Sequence, residues 1–165
     1  MFREMRRKKQ ALSEQRTADI MRTGTSGVLA LAEDGGYPYA VPISYVYDDN
    51  NEKIYFHCAK AGHKLELIQK NAKASFCVVD QDQVVPEMYT SYFRSAIAFG
   101  EIRVLTEEQE KRTAIEKLAL KYAPDDTGER RRKTISQAWS RLCMLEMTIL
   151  HMTGKEAMEL IKEEE

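Results

Sequence analysis

The sequence contains few of the residues on which disulfide-linked, metal-bound or membrane-spanning structures depend. It has three cysteines, Cys58, Cys77 and Cys143, which lie far apart and each within an apolar run. An odd number of cysteines without close spacing argues against a disulfide framework and favours a reducing compartment. With three histidines and no CxxC motif, the chain is short of ligands for a four-coordinate metal site. No stretch approaches the roughly 18 apolar residues of a membrane span.

The chain also lacks a net charge that would attract polyanions. Its 25 lysines and arginines and 26 aspartates and glutamates give a formal charge of −1, which counts against nucleic acid and acidic lipid as partners. The N-terminus is basic, but no apolar core follows it, so no signal peptide is expected. We therefore expect a cytoplasmic protein with one globular domain over residues 1–165, and no membrane or nucleic-acid partner.

The hydrophobic pattern predicts a mainly β fold with peripheral helices. Ser13 is predicted to cap a helix over 14–22 that stops at Gly24. Three strands at 27–32, 39–47 and 53–58 follow, the first two joined by a hairpin at Asp34-Gly35-Gly36. The remaining predicted elements are a helix at 65–71, a strand at 74–79, a polar loop at 81–88, a strand at 89–105 kinked at Gly100, helices at 107–122 (capped by Thr106) and 129–140, a strand at 142–152 and a helix at 155–162. Six or seven antiparallel strands with helices between them predict a closed or split β-barrel.

The chemistry-bearing residues concentrate where the third strand passes into the following helix. The β-type run 54–58 ends in a small cationic turn with Lys60, Gly62, His63 and Lys64, after which apolar residues recur at helical spacing. The first amides of a helix have no partner and its dipole favours negative charge, so a glycine turn into a helix can hold an anion. We interpret this stretch as a phosphate clamp. The alternative is a solvated basic corner, and the glycine spacing excludes a Walker loop.

The second predicted strand contains a proline, which cannot donate a ladder hydrogen bond. Either the backbone near Pro42 and Ser44 is free for a ligand, or the strand is an edge strand. Aromatic residues on and beside the strands either belong to the core or form a surface that binds a flat heterocycle or stacked nucleobases. The balanced net charge disfavours the nucleobases. Because no GxSxG motif or paired-carboxylate pattern occurs, no catalytic residue is assigned.

Several ordered motifs resemble the pyridoxamine 5′-phosphate oxidase-like FMN-binding split barrel, and more narrowly its 5-nitroimidazole resistance (Nim) branch. They are the runs 25–31, 36–45, 54–64, 76–80 and 92–100, with the opening Met5-Arg6-Arg7-Lys8. The resemblance covers nearly the whole chain. It implies an antiparallel split β-barrel that forms a homodimer with FMN bound at the subunit interface.

The resemblance assigns fourteen positions to FMN, in groups that share a role. Facing the isoalloxazine ring are Val41, Pro42 and Ser44. Along the ribityl chain are His57, Cys58 and Ala59. Holding the phosphate are Lys60, Gly62, His63 and Lys64, of which the histidine also approaches a substrate. Near the ring or tail, from one subunit or the other, are Tyr92, Arg94 and Ser95, with Trp139 closing the site from the partner.

The implied activity is that of an FMN-dependent oxidoreductase of the nitroimidazole-reductase type, acting on small aromatic substrates. No GxGxxG follows a predicted strand, so NAD(P)H would dock transiently on the flavin face. The C-terminal substrate-binding segment of the pyridoxamine phosphate oxidases proper is not found here, which argues against that reaction. The alternatives are a non-catalytic flavin or small-ligand binding module, and a relative that uses F420 or haem.

Overall fold

Six β-strands and five α-helices make up the part of the chain that this computed structural model describes, residues 2–33 and 35–162. The strands are β1 (Ser26–Leu31), β2 (Tyr39–Asp48), β3 (Lys53–Ala59), β4 (Lys73–Val85), β5 (Thr90–Val104) and β6 (Leu142–Glu156). The helices are α1 (Glu14–Thr23), α2 (His63–Lys70), α3 (Glu108–Tyr122), α4 (Gly128–Ala138) and α5 (Met158–Lys162). None of these helices is long and apolar enough to span a bilayer.

The strands close into an antiparallel barrel in the order β1-β2-β3-β6-β5-β4. The first three form the predicted meander, and β6 enters between β3 and β5. Alternate side chains point inward and form the core, among them Leu29, Tyr45, Phe56, Phe76, Leu145 and Met147. Helix α2 adds Leu65, Leu67 and Ile68 to the same core. The predicted barrel is confirmed.

The helix signals are confirmed at α1 and wrong at α3. Ser13 Oγ accepts a hydrogen bond from the backbone amide of Arg16 at 3.2 Å, and α1 ends at Gly24. Thr106 does not cap α3, because Glu107 occupies that position and makes no side-chain cap bond. The predicted hairpin at Asp34-Gly35-Gly36 includes Asp34, which lies outside the described residues. Within the described part of this connection, the amide of Gly36 donates a hydrogen bond to the carbonyl of Glu33.

Two boundaries differ from the prediction because strand pairing overrides polar sequence. The predicted loop 81–88 is strand as far as Val85, where β4 pairs with β5 beyond a bulge between Val79 and Gln81. Only Pro86–Met88 turns. The last strand runs to Glu156 and not to Met152, because its end pairs with Arg94 and Ser95 of β5. The helix predicted from residue 155 therefore begins at Met158.

Strand β2 pairs with one strand along its first half and with another along its second half. Residues 39–44 pair with β1, but the pairing with β3 covers only Tyr45 to Asp48. An open seam therefore separates the first half of β2 from the end of β3. Pro42 lies on this seam, opposite Val28 of β1, and not in the outer strand of an open sheet.

Candidate functional site

The corner between β3 and α2 has the geometry of an anion site. Gly62 is the N-cap of α2, with φ at +132°, and a Cβ placed there would meet nothing within 4 Å. Only glycine adopts this backbone readily, which explains its place in the turn. The amides of Leu65 and Glu66 both donate to the carbonyl of Gly62. The two preceding amides, those of His63 and Lys64, have no acceptor among the described residues, so both are available to a ligand.

Two lysines give this corner its positive charge, and a histidine lies beside them. Lys60 is exposed and Lys64 half-buried, and no carboxylate of the described chain lies within ion-pair distance of either ammonium group. His63 is different, since its Nε2 lies 3.3 Å from Glu33 Oε2 and its Nδ1 3.8 Å from Glu66 Oε2. The lysines and the free amides are therefore the donors for an anion, and the carboxylates of Glu33 and Glu66 bound the site.

The seam between β2 and β3 holds a small apolar cavity. Ser44 and His57 lie on either side of it, and Ile115, Ala119 and Tyr122 of α3 cover it, with a volume of about 300 Å³. The Tyr122 hydroxyl accepts a hydrogen bond from the backbone amide of Tyr45 at 3.1 Å, so the end of α3 is fixed where the seam begins. Val41 and Pro42 continue the open edge of β2 beyond the cavity. A flat apolar group fits this place, with backbone polar groups along its rim.

Between seam and corner, β3 presents its side chains to opposite faces. His57 is exposed on the outside, whereas Cys58 is half-buried on the side of Phe56 and the core. Burial raises the pKa of Cys58 to about 12, the neighbouring Cys143 thiol adds to this, and the Lys64 ammonium lowers it. His57 and Cys58 therefore diverge, and the two cannot ligate one metal.

The predicted residues of β5 lie far from this corner in the same chain. Along β6, Ala59 is opposite Leu142 whereas Arg94 is opposite Glu156. These are the two ends of a strand that spans about 45 Å when extended. Arg94 Nε donates to Glu156 Oε2 at 3.2 Å. Ser95 lines a different groove, together with Phe2 and His151. One chain therefore does not bring Tyr92, Arg94 and Ser95 to the phosphate corner.

Trp139 packs against its own chain. Its half-buried ring lies under the Lys111 ammonium at 4.1 Å and the Arg112 guanidinium at 4.6 Å, both from α3. It belongs to the cluster that includes Leu142, the residue opposite Ala59. Contact between Trp139 and a partner's site stays a prediction.

Sequence reasoning missed two features of the site. One is the cover that α3 gives the seam through Tyr122; the helix was predicted but not its position. The other is a groove of about 650 Å³ beside the corner, lined by Lys60, Lys111, Arg103 and Cys143 among others. Both depend on contacts between residues distant in sequence, for which no local signal exists.

Known proteins show where this architecture occurs. A family model described as pyridoxamine 5′-phosphate oxidase matches residues 13–156. No curated protein matches the chain. A solved structure of a candidate 5-nitroimidazole antibiotic resistance protein from Bacteroides thetaiotaomicron is 22% identical, with a TM-score of 0.72 over 88% of this chain and 86% of that one.

Two further solved structures share the fold. A FAD-binding protein from Mesorhizobium loti is 20% identical, with a TM-score of 0.66 over 90% of this chain and 97% of that one. A FAD and heme binding protein from Mycobacterium smegmatis is 20% identical, with a TM-score of 0.70 over 91% and 74%. At these identities the likeness is one of fold. Because the family model spans most of the sequence and the barrel agrees with it, the chain belongs to the pyridoxamine 5′-phosphate oxidase family.

Proposed function

We propose that this chain binds FMN between two copies of itself and acts as a cytoplasmic oxidoreductase of the nitroimidazole-reductase type on small aromatic substrates. The observation that carries the proposal is the placement of an open backbone seam and an unpaired cationic corner at the two ends of one short stretch of β3. Residues 57–60 span about 10 Å of extended strand, a suitable distance for a linker between a ring and a phosphate.

Each part of the site has a separate task in this proposal. The amides of His63 and Lys64 and the ammonium groups of Lys60 and Lys64 bind the phosphate. The rim of the seam, from Val41 to Ser44, orients the ring through backbone groups, while the apolar side chains of α3 exclude water. FMN, when bound, supplies the redox chemistry. No side chain is required as a strong acid or base, and NAD(P)H is the proposed transient electron donor.

FMN is preferred to FAD because of the carboxylates around the corner. Glu33 and Glu66 flank His63 and would repel a second phosphate beyond the first. The solved structures with this fold include FAD and heme binding proteins, so FAD, haem and F420 are the competing cofactors. Absorption separates them, since a haem shows a Soret band and F420 a spectrum distinct from that of a flavin.

The homodimer is proposed because the residues implied for FMN form two groups at opposite ends of β6. A partner chain could bring its Tyr92, Arg94 and Ser95 to the corner of the first chain. This arrangement would place each flavin at the interface and give the dimer two equal sites.

Titration of the purified chain with FMN, followed by flavin fluorescence, tests the proposal. Loss of two charged contacts, in Lys60→Ala with Lys64→Ala, is expected to weaken FMN binding by about 100-fold, at roughly 1.5 kcal/mol for each contact. Lys70→Ala with Lys73→Ala is the matched control, because both lysines are exposed and lie outside the corner. Thermal unfolding of both double variants checks that the fold is kept.

Two results would contradict the proposal at different levels. If the chain takes up no FMN, the proposal that it is an FMN protein is wrong. If the two double variants bind FMN with equal affinity, the corner does not bind the phosphate. Activity is tested separately, by bleaching of the bound flavin with NAD(P)H and its reoxidation by a nitroaromatic compound. Bound FMN without turnover would favour the non-catalytic binding module.

A further inference from the structure

Two of the three cysteines face each other across neighbouring strands. Cys58 of β3 is directly opposite Cys143 of β6 in the antiparallel register. Directly opposite residues of an antiparallel pair have Cα atoms about 4.5–5.5 Å apart, within the range that a disulfide bridges. Because the two residues are paired strand positions, the bond would form without a change in the course of either strand.

Both thiols point to the same side of the sheet and are cross-strand neighbours. Cys58 follows Ile54 and Phe56 on the inner face of β3, and Cys143 precedes Leu145 and Met147 on the inner face of β6. The Cys143 thiol is near enough to Cys58 to raise its pKa. Cys77, in contrast, is opposite Ile97 and Val28 and has no cysteine neighbour in the register. The pair is therefore distinct from the third cysteine.

The thiol pair can be reached from outside the barrel. Cys143 lines the groove of about 650 Å³ beside the phosphate corner, and Cys58 is half-buried. A small neutral oxidant can enter a groove of that size. Neither cysteine is in a disulfide in the structure described.

We propose that Cys58 and Cys143 are a redox-active dithiol that forms a reversible disulfide at the end of the barrel. With hydrogen peroxide as oxidant, the thiolate of one cysteine of the pair attacks one peroxide oxygen, and the other oxygen leaves as water after protonation. The second cysteine, as its thiolate, then attacks the sulfenic sulfur and releases a second water. Two thiols lose two electrons and two protons, and the peroxide is reduced to two waters. Exchange with an external thiol reverses the step.

The bond would fix β3 to β6 immediately before the phosphate corner. Ala59 and Lys60 follow Cys58 directly, so oxidation restrains the strand that positions the corner. An effect on FMN retention rests on the proposed function. Formation of the disulfide does not, and it is measured without any flavin.

The test uses the full chain, reduced and then treated with hydrogen peroxide or diamide. Thiols are counted after unfolding in the absence of reductant. We expect the count to fall from three to one per chain, with a mass loss of about 2 Da for the two hydrogens removed. Peptide mapping should link Cys58 to Cys143 within one chain, and the midpoint of thermal unfolding should rise by about 5 °C and return when dithiothreitol is added.

Two variants identify the pair. Cys77→Ser retains both members, so its thiol count should fall from two to zero. Cys58→Ser changes a half-buried residue and is expected to keep its two remaining thiols under the same oxidation. The proposal is overturned if wild-type chain keeps all three thiols under conditions that oxidise the unfolded chain. A linkage through Cys77, or a mass gain from oxygen addition without a link, also overturns it.

Discussion

At the scale of single residues, ion pairs and hydrogen bonds allow β6 to contain two buried carboxylates. Glu146 accepts hydrogen bonds from Lys53 Nζ and Arg103 Nε, each at 2.9 Å. Glu156 accepts two from the Arg16 guanidinium, at 2.8 and 2.9 Å, and one from Arg94. Removing one partner of such a buried pair leaves an uncompensated charge. Arg94 therefore stabilises the barrel by sharing the Glu156 carboxylate with Arg16.

A second residue-scale feature is Lys121, whose ammonium lies 4.1 Å from the centre of the Tyr45 ring and bonds to the carbonyl of Gly24. Burial lowers the pKa of Lys121 to about 8, against about 10.4 in the unfolded chain. Below pH 8 the charged lysine costs stability. Between pH 8 and 10 the unfolded chain binds more protons, so the free energy of unfolding contributed by Lys121 rises with pH.

Lys121→Met should remove that rise. The quantity to compare is the difference in the free energy of unfolding between the wild type and the variant. We expect this difference to increase by about 1 kcal/mol from pH 8 to pH 10. The increase is small because solvent screens the half-exposed side chain. Urea unfolding at the two pH values measures it. Lys133→Met, which removes an exposed lysine of α4, is the control. A difference that does not change with pH would contradict the assigned burial cost.

At the scale of elements, the turn from β3 into α2 depends on one glycine. Gly62→Ala places a Cβ at φ +132°, a backbone region that is essentially limited to glycine, although no atom blocks it. We expect the free energy of unfolding to fall by about 2 kcal/mol and FMN binding to weaken, because the corner shifts away from its present geometry. Chemical unfolding and FMN titration of the variant measure both effects.

Gly128→Ala is the matched control for that prediction. Gly128 begins α4, and a Cβ there would meet only the flexible ends of Arg132, at 3.2 Å, and Arg131, at 3.8 Å. Its stability and FMN affinity should stay close to those of the wild type. If Gly62→Ala behaves in the same way, the positive φ at residue 62 does not shape the corner.

Elements whose signals are local could be predicted from the sequence, and elements that depend on distant pairing could not. The cap at Ser13, the meander and the strand-to-helix turn at Gly62 follow from residues within a few positions of each other. The extension of β4 to Val85 depends on pairing with β5, and the end of β6 depends on pairing with Arg94 and Ser95 of β5. The opposition of Cys58 and Cys143 depends on the β3–β6 register, which alternation alone does not reveal.

At the scale of the whole molecule, the two groups of residues implied for FMN fit together only across a subunit boundary. The corner group lies at the Leu142 end of β6 and the β5 group at the Glu156 end. If two chains are required, each site in a homodimer takes one group from each chain. A defect in either group then removes both sites of the homodimer, but the two defects can complement each other in a mixed dimer.

Mixed dimers give a direct test of that geometry. One chain carries Lys60→Ala with Lys64→Ala, the other Tyr92→Ala with Ser95→Ala. The differently tagged chains are co-expressed and purified as a pair. The mixed dimer has one site with both groups intact and one with both defective, so it should bind about one FMN per dimer, whereas either variant homodimer should bind little. A wild-type mixed dimer, with a mass of twice 19.0 kDa, is the control and should bind about two. If one chain supplied every contact, each site of the mixed dimer would carry one defect, and no flavin binding would return.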